Sequence, residues 1–326
     1  MSSLAEAATV RCGLTYSIQD NPRPVGAKIQ AQHRAVEVIT APGSSKEVIS
    51  GSAYHAVASA MEDRHRLDGR ARFAMAIKTC VDGHVPYGNY RRAASLRRAT
   101  GWSDETARRA VRDWLQSDLN PAVQLGRLAS SRAQIVALYN LYNSSVDLPV
   151  RTRVIEGQVT RMLDGADGDD ELCAAGSLAV LHWISQEAEQ RKPGQTADLI
   201  PASGVARCLG VEDMASAEAM RLLEAEGDHD LCGLAAILGS SMRTLQRQLA
   251  AEGLTVTDLR LAARQQRALR LLSRGLGLCQ VAAEAGYADQ AHMARSIKAA
   301  CGMTPRSIAA LFKAAPGSLQ EVAARP

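Results

Sequence analysis

The sequence predicts a mostly α-helical fold, and three observations carry that expectation. Aromatic residues are 4% of the chain against 46% apolar residues overall, so the cores must be filled mainly by Leu, Ala, Val, Ile and Met, a palette that suits helix-on-helix packing better than large sheets. Apolar side chains recur at three and four spacing over residues 54–115 and again over 215–313, the period of one helix face. In the second stretch the periodic segments have short connections and no convincing strand between them. At 326 residues the chain exceeds the roughly 100 to 200 residues of one domain, so two or three domains are expected.

Residues 1–52 alternate weak apolar stretches with Pro22, Pro24, Gly26, Pro42 and Gly43 and carry no assignable element. The small, polar run 41–52 (APGSSKEVISGS) reads as a linker. Residues 53–143 read as a helical unit, with Ala71, Ala74 and Met75 on one apolar face and Ala107, Val111, Trp114 and Leu115 on another. Within it, residues 123–142 (VQLGRLASSRAQIVALYNLY) fit either two short strands turning at Ser130 and Ser131 or the start of a further helix. Residues 144–211 form an acidic segment expected to be helical: a helix over 150–163, a loop over 164–171, an apolar helix over 172–190 that includes Trp183, and a Pro- and Gly-bearing linker over 191–204. The last domain is placed at 212–315 and a tail at 316–326.

The net charge is only +4, but it is segregated. Residues 64–116 hold twelve Lys and Arg against five Asp and Glu, residues 156–230 five against sixteen, and residues 241–325 twelve against five. Basic stretches of this size give the footprint of a phosphate-binding surface, whereas the acidic middle would be repelled by DNA and suits contact with protein or a ligand. No apolar run approaches the roughly 18 residues of a membrane span, and the N-terminus lacks the regions of a signal peptide, so no membrane contact and a cytoplasmic location are expected. The seven cysteines show no CxxC or metal-ligand spacing and read as small buried hydrophobes. Without a phosphate loop, dinucleotide glycine fingerprint, HExxH or serine elbow, the chain is expected not to be an enzyme, with no catalytic residue, metal or cofactor.

The chemistry concentrates in a repeated pattern. Residues 231–252 (LCGLAAILGSSMRTLQRQLAAE) give an apolar helix through Leu231, Leu234, Ala235 and Leu238, a tight turn at Gly239 and Ser240, and a second helix that Ser241 can cap. There Leu245 and Leu249 face inward one turn apart. That turns Arg243, Gln246 and Arg247 outward, a set able to bond guanine and adenine edges in a major groove, with Ser241 near the phosphates. Residues 278–301 (LCQVAAEAGYADQAHMARSIKAAC) repeat the arrangement: Val281, Ala282 and Ala285 apolar, a turn at Gly286, a helix capped by Asp289, and Met293 and Ile297 inward. Gln290, Ala291, His292 and Arg295 then point forward and Lys298 is placed for phosphate. Between the copies, the helix over 257–273 carries Arg260, Arg264, Arg267 and Arg270 at three and four spacing and reads as a rigid strut, its arginines partly anchored to acidic faces nearby. Two such helices on one body reach major-groove segments about one DNA turn, roughly 34 Å, apart.

Through RTLQRQL at 243–249, RALRLL at 267–272 and VAAEAGYADQAHMARSIKAACGMTP at 281–305, residues 215–313 resemble the DNA-binding domain of the AraC/XylS family of arabinose-operon-type activators. The resemblance implies a bipartite helix-turn-helix domain that reads bases through the forward residues of both second helices: Arg243, Gln246 and Arg247, then Gln290, His292 and Arg295. It covers about three tenths of the chain. Where the family usually has Phe at the two inward positions of the last recognition helix, this chain has Met293 and Ile297, which are apolar but differently shaped. Nothing upstream shows the pattern of the sugar-binding cupin domain common in the family, so sugar sensing is not implied.

Residues 91–115 (RRAASLRRATGWSDETARRAVRDWL) follow the same logic, with Ala94, Leu96 and Ala99 apolar, Gly101 at the turn, Ser103 as N-cap and Ala107, Ala110, Val111 and Trp114 inward. With a preceding helix over 64–80 and residues 123–142 as a wing, the block is similar to the winged-helix domains of replication initiators and some bacterial regulators. Ser103, Thr106, Arg108, Arg109 and Arg112 are then further candidates for DNA contact, against an ordinary helical hairpin with solvated arginines. Together these features lead us to expect a sequence-specific DNA-binding transcriptional regulator, an activator, with double-stranded DNA, RNA polymerase and a second copy of the chain as candidate partners. The alternative from the same parts is a replication or recombination factor of a plasmid, phage or mobile element.

Overall fold

The computed structural model describes residues 52–53, 55–83, 85–155, 158–163, 168–190 and 197–319. The segment 1–51 with most of its linker, the tail beyond 319, and parts of the 164–171 loop and the 191–204 linker lie outside the described residues.

Fifteen α-helices and two small antiparallel sheets run through the described residues, so the chain is mostly α as expected. β1 (Ser52–Ala53) pairs with β2 (Val85–Pro86) around α1 (His55–Met61) and α2 (Gly69–Val81). Then come α3 (Tyr87–Ala99), α4 (Asp104–Leu115), α5 (Pro121–Leu128) and α6 (Arg132–Ser145), the hairpin of β3 (Val150–Ile155) and β4 (Gln158–Leu163), and α7 (Glu171–Glu189). The C-terminal part consists of α8 (Ala202–Leu209), α9 (Ala215–Glu226), α10 (Leu231–Ile237), α11 (Met242–Ala251), α12 (Val256–Ser273), α13 (Leu278–Glu284), α14 (Gln290–Cys301) and α15 (Pro305–Lys313).

For one stretch the structure decides between the two open readings, and for another it differs from expectation. Residues 123–142 form no strands and hence no wing. Asn120 caps α5 ahead of Pro121 at the first helical position, Ser131 caps α6 by accepting the Gln134 amide at 3.2 Å, and Ile135, Leu138, Tyr139 and Tyr142 then bury one helical face. Conversely, residues 150–163 are not a helix but the hairpin, paired from Val150 and Leu163 to Ile155 and Gln158. Thr152 and Val154 are buried between the less buried Arg151 and Arg153, a period of two in β-branched residues. The open edge of β3 is satisfied by α6: Asn140 accepts the Val154 amide at 2.9 Å and donates to the Val154 carbonyl at 2.8 Å, and Asn143 accepts the Thr152 amide at 2.9 Å.

Smaller corrections follow the packing. The buried face of α2 is Phe73, Ala76, Ile77 and Cys80, not the face of Ala71, Ala74 and Met75. On α3, Leu96 is 58% exposed because the helix turns Tyr87, Tyr90 and Ala94 inward. Cys80, Cys173 and Cys301 are buried hydrophobes, but Cys208, Cys232 and Cys279 are exposed, lying off the apolar faces of α8, α10 and α13.

Two cores form, and each mixes early and late parts of the chain. One packs Phe73, Ile77 and Cys80 of α2 and Leu119 with α8 to α11 and with Leu259, Ala262 and Ala263 of α12. The other packs α1 and α3 to α7 with Ala268, Leu269 and Leu272 of α12 and with α13 to α15. Each large apolar side chain so buried contributes about 1.5 to 3 kcal/mol. The 18 residues of α12 therefore span both cores.

Candidate nucleic-acid interface

The first unit is α10, a turn and α11. Gly239 takes the left-handed conformation (φ 60°) that a side chain would resist. Two residues on, Ser241 Oγ accepts the Thr244 amide at 3.1 Å and so caps α11. Leu245 and Leu249 are buried beside Leu234 and Ala235 of α10. Arg243, Gln246 and Arg247 consequently stand on the exposed side, and among the described residues their side chains make no hydrogen bond or ion pair. Met242, at the first helical position, is also exposed; its apolar character had marked it for no role in the sequence.

The second unit, α13, turn and α14, repeats the geometry. Gly286 is left-handed (φ 82°), Asp289 caps α14 by accepting the His292 amide at 2.6 Å, and Met293 and Ile297 are fully buried. Arg295 and Lys298 are exposed with no side-chain partner among the described residues. Gln290 accepts a weak bond from the Cys279 thiol at 3.4 Å, and the half-buried His292 ring meets Tyr287 edge-on at 5.2 Å, which holds it beside the turn.

Residues 234–310 match the model of a family described as a helix-turn-helix domain. They form such a domain. The HTH-type transcriptional regulator VirS of two Mycobacterium tuberculosis strains, CDC 1551/Oshkosh and ATCC 25618/H37Rv, is 49% identical to the chain over 65 residues, covering 20% of this chain and 19% of each relative. The chain thus spans about a fifth of the length of the curated relatives it matches. No solved structure matches. The expected AraC/XylS-type resemblance is borne out for the C-terminal region, and with it the bipartite helix-turn-helix fold.

In the helix-turn-helix domain the strut arginines are engaged within the protein. Arg260 makes a two-pronged contact with Asp228 at 2.8 Å for both nitrogens, Arg264 joins the same carboxylate at 2.5 Å, Arg267 donates to the Leu223 carbonyl at 2.9 Å and Arg270 to Asp198 at 2.9 Å. The hydrogen bonds from Arg260 above all hold the Asp228 carboxyl down at about 2. The strut's arginines are thereby engaged within the protein, whereas Arg243 and Arg247 on α11 and Arg295 and Lys298 on α14 are exposed with no side-chain partner among the described residues.

The hairpin of α3 and α4 shares the local geometry: Gly101 is left-handed (φ 83°), Ser103 accepts the Thr106 amide at 3.3 Å, and Ala107, Ala110, Val111 and Trp114 are buried. Its cations are used differently. Arg91 donates to the Gly168 carbonyl at 2.9 Å, Arg97 to the Met61 carbonyl at 2.7 Å and to Asp63, Arg98 pairs with Asp170, and Arg112 pairs with Glu105 at 2.9 Å. Arg109 is exposed and Arg108 and Thr106 are half-buried.

The sequence also missed Asn120. Its place before Pro121 signals a helix start, but nothing local signals that it touches α14.

Proposed function

We propose that the chain is a sequence-specific DNA-binding transcriptional regulator that lays the N-terminal halves of α11 and α14 into adjacent major-groove segments. The supporting observation is the pair of capped, glycine-turned helix pairs on one strut, whose outward cations have no partner among the described residues while the strut's own arginines do. Arg243, Gln246, Arg247, Gln290, His292 and Arg295 are assigned to bases, and Ser241 and Lys298 to phosphate. The α3–α4 hairpin has a lesser part, through Ser103, Thr106, Arg108, Arg109 and Arg112, because its neighbouring arginines hold the fold together. Activation by contact with RNA polymerase, a second copy of the chain as partner and a cytoplasmic location complete the reading. It is consistent with the likeness to VirS, a transcriptional regulator, and with the lack, among the described residues, of any helix long and apolar enough to cross a membrane.

The test is selection of bound fragments from random DNA by the full-length chain at a stated salt concentration. Arg247→Ala is expected to lose preference at one or two base pairs, a discrimination of about 1 to 3 kcal/mol for a two-pronged contact. Lys298→Ala is expected to weaken all sequences alike and to lower the salt slope by about 1. Equal effects of the two substitutions would remove the assignment.

A further inference from the structure

We infer that the N-terminal helices belong to the reading machinery: Asn120 is a positioning residue for the second recognition helix. Base preference in the half of the site read by α14 then depends on the tie that Asn120 makes, and preference in the α11 half does not. The inference rests on the proposed reading of α11 and α14 as recognition helices.

Asn120 is 4% exposed, and its side-chain amide is fully used. Oδ1 accepts the Ala122 amide at 2.9 Å and so caps α5, while Nδ2 donates to the Thr79 carbonyl at 3.2 Å and to the Ala300 carbonyl at 3.3 Å. Thr79 and Ala300 lie in the last turns of α2 and α14, where carbonyls have no acceptor role left within their own helix and need an outside donor. One side chain thus joins the start of α5 to the ends of two other helices.

The surrounding backbone fits this tie closely. A Cβ at Gly83 would overlap both the Ala300 carbonyl oxygen and Asn120 Nδ2, so the loop after α2 can pass only as glycine. Gly302, left-handed at φ 74°, ends α14, and a Cβ there would overlap the Val146 side chain. Gly83, Asn120 and Val146 therefore enclose the C-terminal end of α14. The end of α11 is held differently, by Glu252 accepting the Ala215 and Ser216 amides of α9 at 3.0 and 2.9 Å. Among the described residues no hydrogen bond joins α11 to the chain before residue 200.

The lever is long enough to matter. At about 1.5 Å rise per residue, the 12 residues of α14 make a rod of about 18 Å. A tilt of about 10° at its tied end moves the reading end by about 3 Å, more than a hydrogen bond tolerates.

The experiment repeats the DNA selection with full-length Asn120→Ser, which keeps an N-cap acceptor for α5 and removes the Nδ2 amide that donates to Thr79 and Ala300. Preference at the base pairs read by α14, identified by Gln290→Ala and Arg295→Ala, is expected to fall about fivefold or more, the factor of one lost base contact. Preference at the pairs read by α11 is expected to stay within about twofold. If the substitution lowers the folded fraction, affinity falls for every sequence, but the ratio between the two halves reports position alone. Gly83→Ala is expected to shift the same half. Equal loss in both halves, or no loss in either, would overturn the inference while leaving the regulator reading intact. A wild-type chain that enriches no sequence would overturn both.

Discussion

On α11 the exposed side chains form two lanes. Arg243 and Arg247 stand one turn apart in one, and Met242 and Gln246 in the next. A methionine 51% exposed beside a residue suited to adenine is placed to meet the methyl group of thymine, which major-groove readers recognise by apolar contact. Wild type is therefore expected to discriminate thymine from uracil at one position of the selected site, and Met242→Ala to lose that discrimination, measured by competition between duplexes differing only in that methyl. Indifference of the wild type to the replacement at every position would refute the role. The outward lane of arginines was legible because Leu245 and Leu249 fix the inward direction from spacing alone. The tie made by Asn120 was not, because its acceptors lie 41 and 180 residues away and are backbone atoms that leave no mark in a sequence.

Helices announced by their caps were legible as elements: Ser103, Ser241 and Asp289 each accept the amide three residues on. The hairpin was not, because Thr152 and Arg161 are buried where apolar residues would have marked the inner face, and one of its edges is completed by asparagines of α6. The strut α12 was legible as a basic helix, and its charge is tied down at Asp228. A carboxyl held at about 2 in the folded chain against roughly 4 when unfolded stabilises the fold above about pH 4. That contribution is lost as the pH falls towards 2. Asp228→Asn is accordingly expected to lower the melting temperature at pH 6 and to differ less from wild type as the pH approaches 2. The pair is partly exposed, so the effect at neutral pH is about 1 kcal/mol or less. A gap that widens on acidification would contradict this account.

At the scale of the molecule, the run of basic, acidic and basic segments does not separate charge that is paired within the protein from charge that is not. Arg70, Arg97, Arg98 and Arg112 of the early basic block face Asp213, Asp63, Asp170 and Glu105, and pairing of this kind depends on the folded arrangement rather than on local composition. The cores make the same point. Phe73→Ala, far from the recognition helices in sequence, opens a void in the core that holds α9 to α11 and is expected to cost about 3 to 5 kcal/mol, measured by denaturant unfolding. A fragment of residues 205–326 is expected to unfold at lower denaturant than the full chain and to bind a hydrophobic dye. A fragment as stable as the whole would show that the sockets for Phe73 and Ile77 close on their own.

With α12 spanning two cores, the reader of this chain is packed into its N-terminal helices along a long seam. A recombination event that exchanged everything before α8 would deliver a reader with its seam exposed, and a donor of the reader alone would leave apolar sockets behind. Substitutions in α2 and in the α4–α5 connection are therefore expected to be compensated in α12 and α14 as if they were neighbours in sequence.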